Sequence, residues 1–379
     1  MNEVNNKTFT LHSGASAVTF IATADVHLDK KLYNEPELEE DFKDNFVRLV
    51  ELAIEKQVQY LVIAGDLFES NTVKPHSIVF VTKLVDKLKL HGITTVGIAG
   101  DHDKPLKHEC WYRIAKILPV TVEPTFAGLD YFDYSTVSTE ELIGLLKKGR
   151  EVEKVQWLFL HCQFPQLYTL AQPKKIIDYN SLMPFENFPN LQGIIAGDLH
   201  FGPETRLFGL DKTAYVGYPG SPTVGDISEN NQDKHVLYCN GKTLTHIPFP
   251  QQRQMRKIDY RGDKAVNFDV SEQLVWAREQ KLRPVFYIQY DRNSEKYLNK
   301  ITALYDHAII HPHQLQLGEE ANTENPSLSC RSEASSDEKV DKALRNVCGK
   351  KTELFKLASD LLANDPKTVL DEFKLKFEL

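Results

Sequence analysis

Thr94-Thr95-Val96-Gly97-Ile98-Ala99 runs without a break into Gly100-Asp101-His102-Asp103. A short β-branched apolar run that ends on glycine and then on carboxylate and imidazole side chains reads as a buried strand delivering chemistry at its carboxyl end. The pattern recurs along the first half of the chain. Val18 to Ala22 precedes Asp25-Val26-His27, Tyr60 to Ala64 precedes Gly65-Asp66, and Trp157 to Leu160 precedes His161. Gly193 to Ala196 precedes Gly197-Asp198-Leu199-His200. Between the strands, Leu38, Phe42, Phe46, Leu49 and Ala53 recur at helical spacing, as do Ile78, Val81, Val85 and Leu88. Buried strands alternating with amphipathic helices predict an α/β layered fold.

After His200 the texture changes. Val236 to Cys239, Asn240-Gly241 and Thr243 to Ile247 read as a hairpin with a primed turn. Strand, helix, strand, helix, strand then follow over about Arg253 to Leu317, which predicts a small α+β second domain. Gly318 to Glu338 contains one large apolar residue, Leu328, and reads as a linker. Short helices follow it. The last opens on Asp365-Pro366 and carries the apolar stripe Val369, Leu370, Phe373 and Phe377. Such a stripe serves either the chain's own core or a partner surface. The expected organisation is therefore 1–252, 253–317, a linker over 318–338, and terminal helices over 339–379.

Composition is that of a soluble globular protein, 41% apolar and 26% charged over 379 residues. No apolar run has membrane-spanning length, and the polar first 17 residues lack the order of a secretory signal, so a cytoplasmic location is expected. Cys110, Cys162, Cys239, Cys330 and Cys348 are scattered without a C-x-x-C pair, against a disulfide scaffold or structural zinc. The net charge of -8 does not advertise a nucleic-acid binder. Residues 251 to 300, however, hold eleven Lys and Arg against seven acids, an excess that permits phosphate contacts or is simply a solvated surface.

Several oxygen and nitrogen ligands on separate loops, converging on one point around a bridging carboxylate, can hold two divalent cations. Such ions polarise a phosphodiester and generate a nucleophile from water. Mixed Asp and His ligands suit manganese, iron or zinc better than calcium. Each element alone is weak, and a lone His161 is commonly a satisfied core histidine. Five in this order, each behind a strand, carry far more weight.

Together, Asp25-x-His27, Gly65-Asp66-Leu67-Phe68, Gly100-Asp101-His102-Asp103, His161 and Gly197-Asp198-x-His200 resemble the motif series of calcineurin-like metallophosphoesterases. Gly65-Asp66-Leu67-Phe68 and the later Tyr218-Pro219-Gly220-Ser221 narrow the resemblance to SbcD-type nucleases, the DNA-cutting subunits of SbcCD double-strand-break complexes, and their bacteriophage relatives. The resemblance implies a layered sandwich with a capping, DNA-binding domain at 253–317. It implies that Asp25, His27 and His200 hold one metal, that Asp66 bridges, and that Asp101, His161 and Asp198 complete a second. His102 would protonate the leaving 3′ oxygen, and Glu69 stands where the family places a residue contacting that histidine. An ordinary solvated acid is the other reading of Glu69.

Two positions depart from the pattern. Asp101 stands where the family usually has Asn, and Asp198 where it usually has the first His of Gly-His-x-His. Both fall on the second metal, and both shift its preference toward manganese or magnesium. The implied partners are DNA, an SbcC-like SMC-type ATPase bound by the C-terminal helices, and a second copy of the chain through the helices at Leu38 to Ala53 and Ile78 to Leu88. For a viral chain the location becomes the host cytoplasm. The expected activity is double-strand exonuclease and single-strand endonuclease with Mn2+. The alternatives are a DNA-binding scaffold with a weakened metal centre, or another calcineurin-like phosphodiesterase.

Overall fold

The computed structural model describes residues 8–12, 18–104, 111–169, 172–209, 212–230 and 232–315. The expected linker at 318–338 and helices at 339–379 lie outside the described residues, as do Cys110, Cys330 and Cys348. Within them, Cys162 and Cys239 are free and buried. No helix among the described residues is long and apolar enough to cross a membrane.

Two sheets pack face to face. At the centre of the first, Phe20–Thr23, Tyr60–Ala64 and Thr94–Ile98 run parallel. On one side it continues antiparallel through His235–Cys239, Thr243–Pro248 and Thr8–Thr10; on the other it ends at Leu118–Pro119. In the second sheet Phe126–Gly128, Trp157–His161, Gly193–Gly197 and Thr213–Gly217 are parallel, with Glu204–Phe208 as an antiparallel edge.

The period-two alternation of strand side chains sorts the core into layers. Phe20, Ala22, Val62, Val96 and Ile98 face inward and meet Phe126, Trp157, Phe159, Ile195 and Tyr215 of the second sheet. Phe20 packs edge-to-face on Phe126, Trp157 and Phe159. The alternate residues Ile21, Leu61 and Ile63 face outward beneath the helices. Burial of each such side chain contributes roughly 1.5–3 kcal/mol.

Those helices are Pro36–Glu55 and Pro75–Leu90. Each has proline in its first turn, where a missing N–H costs nothing. Leu38, Phe42, Phe46, Leu49 and Ala53, with Val81, Val85 and Leu88, are all buried in the chain's own core. These stripes cover the sheet, with Ile78 partly buried against it, while Val79 and Leu90 of the second helix are exposed.

The turn between His235–Cys239 and Thr243–Pro248 differs from the two-residue Asn240-Gly241 turn expected. Cys239 pairs with Leu244, and Asn240 N–H donates to the Thr243 carbonyl. Gly241 takes φ 84°, and the Asn240 side chain accepts the N–H groups of Lys242 and Thr243.

Met255–Tyr260, Val285–Tyr290 and Ile309–Gln314 form a third sheet, wholly parallel, with its own core around Tyr260, Phe286, Ile288 and Leu304. The helices Val270–Glu279 and Glu295–Leu304 connect its strands. It is fastened to Pro36–Glu55 by charge. The Arg253 guanidinium donates to both carboxylate oxygens of Asp41, and Arg283 pairs with Glu37. Tyr33 stacks on His311 with ring centroids 4.1 Å apart. Two of the basic residues in the 251–300 excess are therefore structural anchors.

Candidate metal centre

Every candidate ligand stands at or just past the carboxyl end of a central strand, and several of these loops leave the strand under strain. Asp25, His27, Asp66 and Asp198 take φ of 53°, 51°, 51° and 95°. Left-handed backbone at a non-glycine residue costs of order 1–3 kcal/mol and persists where the surroundings over-determine it. Here the surroundings are the neighbouring loops. Asp25 N–H donates to the Gly65 carbonyl, His27 N–H to the Asp66 carbonyl, and Leu28 N–H to the Leu67 carbonyl. The glycines before the aspartates leave room for this convergence. A Cβ on Gly65 would fall 2.1 Å from His161 Nδ1, and one on Gly100 would fall 2.0 Å from Asp66 Oδ1.

Asp25, His27 and His200 bring ligand atoms within 4.8 Å of one another. Asp25 is fully buried, and both its oxygens face the Asp198 N–H at 3.0 and 3.2 Å. Burial pushes its pKa up to about 6, against the opposing pull of His161 and His200. His200 Nδ1 lies 2.8 Å from Glu229 Oε1, and a carboxylate can only accept, so the proton is on Nδ1 and Nε2 presents its lone pair. His200 Nε2 points at His27 Nε2, 3.1 Å away. On its other side His27 Nδ1 lies 2.8 Å from Glu69 Oε2 but off line for a hydrogen bond, while burial lowers its pKa to about 4. Two imidazole nitrogens converging at this distance beside a buried carboxylate make a donor set that fits a divalent cation.

Asp66 lies between two sets of ligands. Its Oδ1 accepts the His102 N–H at 3.0 Å. Its Oδ2 faces His27 Nε2 at 3.9 Å and His161 Nε2 at 3.4 Å, the position of a bridge. On the far side stand Asp101, His161 and Asp198. His161 Nδ1 donates to the Ala64 carbonyl at 3.0 Å, which turns Nε2 toward Asp101 Oδ1 at 3.1 Å and Asp198 Oδ1 at 3.9 Å. The donors of this half also fit a divalent ion, but a protein cation is already there. Lys175 Nζ lies 2.8 Å from Asp101 Oδ2 and also contacts Asp198 Oδ1.

Residues 18–202 match the calcineurin-like phosphoesterase family. The chain is similar to DNA double-strand break repair proteins Mre11 of three archaea. It is 27% identical to that of Sulfurisphaera tokodaii over 74% of this chain and 72% of the relative. It is 37% identical to that of Sulfolobus acidocaldarius over 66% and 64%, respectively. For Thermoplasma acidophilum the identity is 31% over 66% of this chain and 70% of the relative. The chain belongs to the Mre11 family of calcineurin-like phosphoesterases. It is accordingly a metal-dependent phosphoesterase of the SbcD/Mre11 nuclease type, and its strand ends bring together clusters of side chains that could hold metal ions.

Within this Mre11-type site, His102 and Glu69 are arranged differently from the simple expectation. His102 Nδ1 donates to the backbone carbonyl of Glu69 at 3.0 Å, whereas the Glu69 carboxylate is 4.0 Å from that nitrogen and nearer His27. The backbone carbonyl wins because Glu69 is held by its N–H to the Leu28 carbonyl, which turns its side chain toward the strand end bearing His27. His102 is about one third exposed, and its ring packs edge-on to His27 with centroids 4.8 Å apart. Burial works against its protonation, but Asp66, Glu69 and Asp101 outweigh it and raise its pKa.

Three further residues shape the Mre11-type centre and went unassigned in the sequence. Glu229 orients His200 and is itself held by buried Lys234 at 2.7 Å. Asp103 accepts the Gly100 and Phe68 N–H groups and the Tyr112 hydroxyl, joining the loops of Asp101 and Asp66. Lys175 is the third. The Tyr-Pro-Gly-Ser motif proves to be a buttress. Tyr218 hydroxyl accepts the Phe164 N–H and donates to the Cys162 carbonyl beside His161, while Ser221 N–H donates to the His200 carbonyl.

Proposed function

We propose that the chain is a metal-dependent DNA nuclease, acting as a double-strand exonuclease and single-strand endonuclease in double-strand-break processing. The observation that carries this is the convergence of Asp25, His27, Asp66, Asp101, His161, Asp198 and His200 around one point with His102 beside it. Asp25, His27 and His200 would hold one ion, Asp66 would bridge, and Asp101, His161 and Asp198 would receive a second, with Mn2+ suited because the donors mix oxygen and nitrogen. Divalent ions there supply Lewis acidity toward the phosphodiester and lower the pKa of water.

The chain's own residues do the rest. The Glu69 carbonyl fixes the Nδ1 proton of His102, so Nε2 is the atom that hands a proton to the leaving 3′ oxygen. Glu229 and the Ala64 carbonyl hold His200 and His161 in the tautomer that presents Nε2. Lys257, Lys281, Arg292 and Lys296 of the third-sheet region are exposed and face no anchoring role, which supports a capping domain that contacts DNA phosphates. An SbcC-like ATPase docks on 339–379 through the stripe at Val369, Leu370, Phe373 and Phe377. Self-association uses the helices Pro36–Glu55 and Pro75–Leu90, and the setting is cytoplasmic.

The test is purified protein with Mn2+, Mg2+ or EDTA on labelled duplex and single-stranded DNA, beside His102→Ala. Degradation lost in EDTA and reduced ~10²–10⁴-fold in the variant is expected, with metal content unchanged. Metal binding without DNA turnover, even with the ATPase present, would instead support the scaffold reading.

A further inference from the structure

We propose that Lys175 is the resident cation of the second half of the centre, so that the chain holds one divalent ion firmly and admits a second only by displacing this lysine. The inference rests on the metal-centre reading above.

The argument starts from which atoms are already engaged. Asp198 Oδ1 is taken by Lys175 and Oδ2 by the Gln163 amide at 2.5 Å. Asp101 Oδ2 is taken by Lys175 at 2.8 Å, and Oδ1 faces His161 Nε2. Three of the four carboxylate oxygens of the two aspartates are therefore matched by a donor of the chain, and the fourth, Asp101 Oδ1, faces His161 Nε2. Asp198 Oδ1 is also the oxygen that looks at His161 Nε2, so an ammonium and a metal ion would compete for the same atom. A compact, rotatable point charge is well suited to that place.

Lys175 is not a surface side chain that happens to reach inward. Its side chain is 13% exposed, against 74% for neighbouring Lys174. Its backbone is fixed at both polar atoms. The Lys175 carbonyl accepts the Gln163 N–H at 2.8 Å, and its N–H donates to the Gln172 carbonyl at 2.8 Å. Gln163 follows His161 by two residues and itself grips Asp198, so one short segment sets the ligand, the amide clamp and the lysine together. The other half is different. Among the described residues no Lys or Arg is paired with Asp25, and the ligand nitrogens of His27 and His200 face only each other and carboxylates. The charge logic is also local. Asp66, Asp101 and Asp198 crowd one histidine, and three carboxylates sharing a site need more positive charge than a neutral imidazole provides.

The full chain is loaded with Mn2+, desalted, and its metal counted by plasma mass spectrometry, with electron paramagnetic resonance on the same samples. Wild type is expected to keep one ion per chain with an isolated manganese spectrum. Lys175→Met is expected to keep two with an exchange-coupled spectrum, its second ion bound at least tenfold more tightly. Lys175→Arg is expected to behave as wild type. Two ions of equal affinity in wild type, or a second affinity unchanged in Lys175→Met, overturn the role of Lys175 and leave the metal centre standing. No ion in any variant overturns the metal-centre reading itself. Should Lys175→Met fail to fold, wild type decides alone: a coupled pair already formed at two equivalents of Mn2+ defeats the inference, and an isolated ion at that ratio sustains it.

Discussion

Around Asp25, His27 and His200 the chain supplies aim, whereas around Asp101, His161 and Asp198 it supplies charge. In the first group Glu229 and Lys234 stand behind His200, and the histidine nitrogens converge on a point with no ammonium in it. In the second, Lys175 and Gln163 contact the ligand oxygens directly. Both groups hang on the same rigid strands and share Asp66, so the difference arises entirely from side chains. Replacing neutral ligands by aspartates adds negative charge that must be neutralised by something, and here a lysine from the adjoining loop does it.

The largest test of this contrast is a pair of ligand deletions. Asp25→Ala is expected to abolish retention of tight metal and to reduce nuclease activity by more than the ~10–100-fold typical when only an outer partner is lost. Asp101→Ala is expected to keep one ion per chain, because the ligands that hold it lie elsewhere. Metal counting after desalting, with DNA turnover measured in parallel, separates them. Equal metal loss in both variants would erase the distinction between the halves.

A smaller effect is expected one bond further out. Glu229→Gln keeps the shape of the residue that accepts from His200 Nδ1 but removes the charge that Lys234 and His200 share. The apparent affinity for the first ion should fall ~10–100-fold, about 1.4–2.8 kcal/mol. Calorimetric titration with Mn2+ reads this directly. The second ion should be untouched, since Glu229 contacts none of its ligands.

How much of this could be read from the sequence follows from the range of the forces involved. The strands and their terminal ligands were legible because alternation, β-branching and the Gly-Asp and Gly-Asp-His-Asp signatures are local patterns. The observed strands at Tyr60–Ala64 and Thr94–Ile98 differ from the reading by at most one residue. The helical stripes were legible as amphipathic, but which surface they cover is a tertiary fact, and Phe42, Phe46 and Leu49 went to the sheet. Glu229 was invisible because Asp226-Ile227-Ser228-Glu229 looks like any capped turn. Lys175 was equally so: nothing in Lys174-Lys175-Ile176 distinguishes an exposed lysine from one clamped between two aspartates. Glu69 shows the opposite case, a residue whose neighbourhood was foreseen while the atom making the contact was not.

Acidity offers the finest test of the comparison. Burial raises Asp25 to about 6, so below that pH the carboxylate must lose a proton before it can take a metal ion. His200, raised by Glu229 although burial opposes it, adds a second competing proton. The apparent affinity of the first ion should therefore be highest on the alkaline side and fall roughly tenfold per pH unit through the Asp25 proton as pH drops below 6. Asp101 behaves oppositely. Burial would raise it too, but the hydrogen bond from His161 and the charge of Lys175 win and hold it down to about 2. Between pH 6 and 4 acid should thus unload Asp25 while Asp101 stays ionised and paired with Lys175. Manganese titrations at several pH values, in wild type and in Asp25→Asn, would show this. A pH slope in the variant as steep as in wild type would mean that the competing proton is not on Asp25 and that acid does not distinguish the two carboxylates.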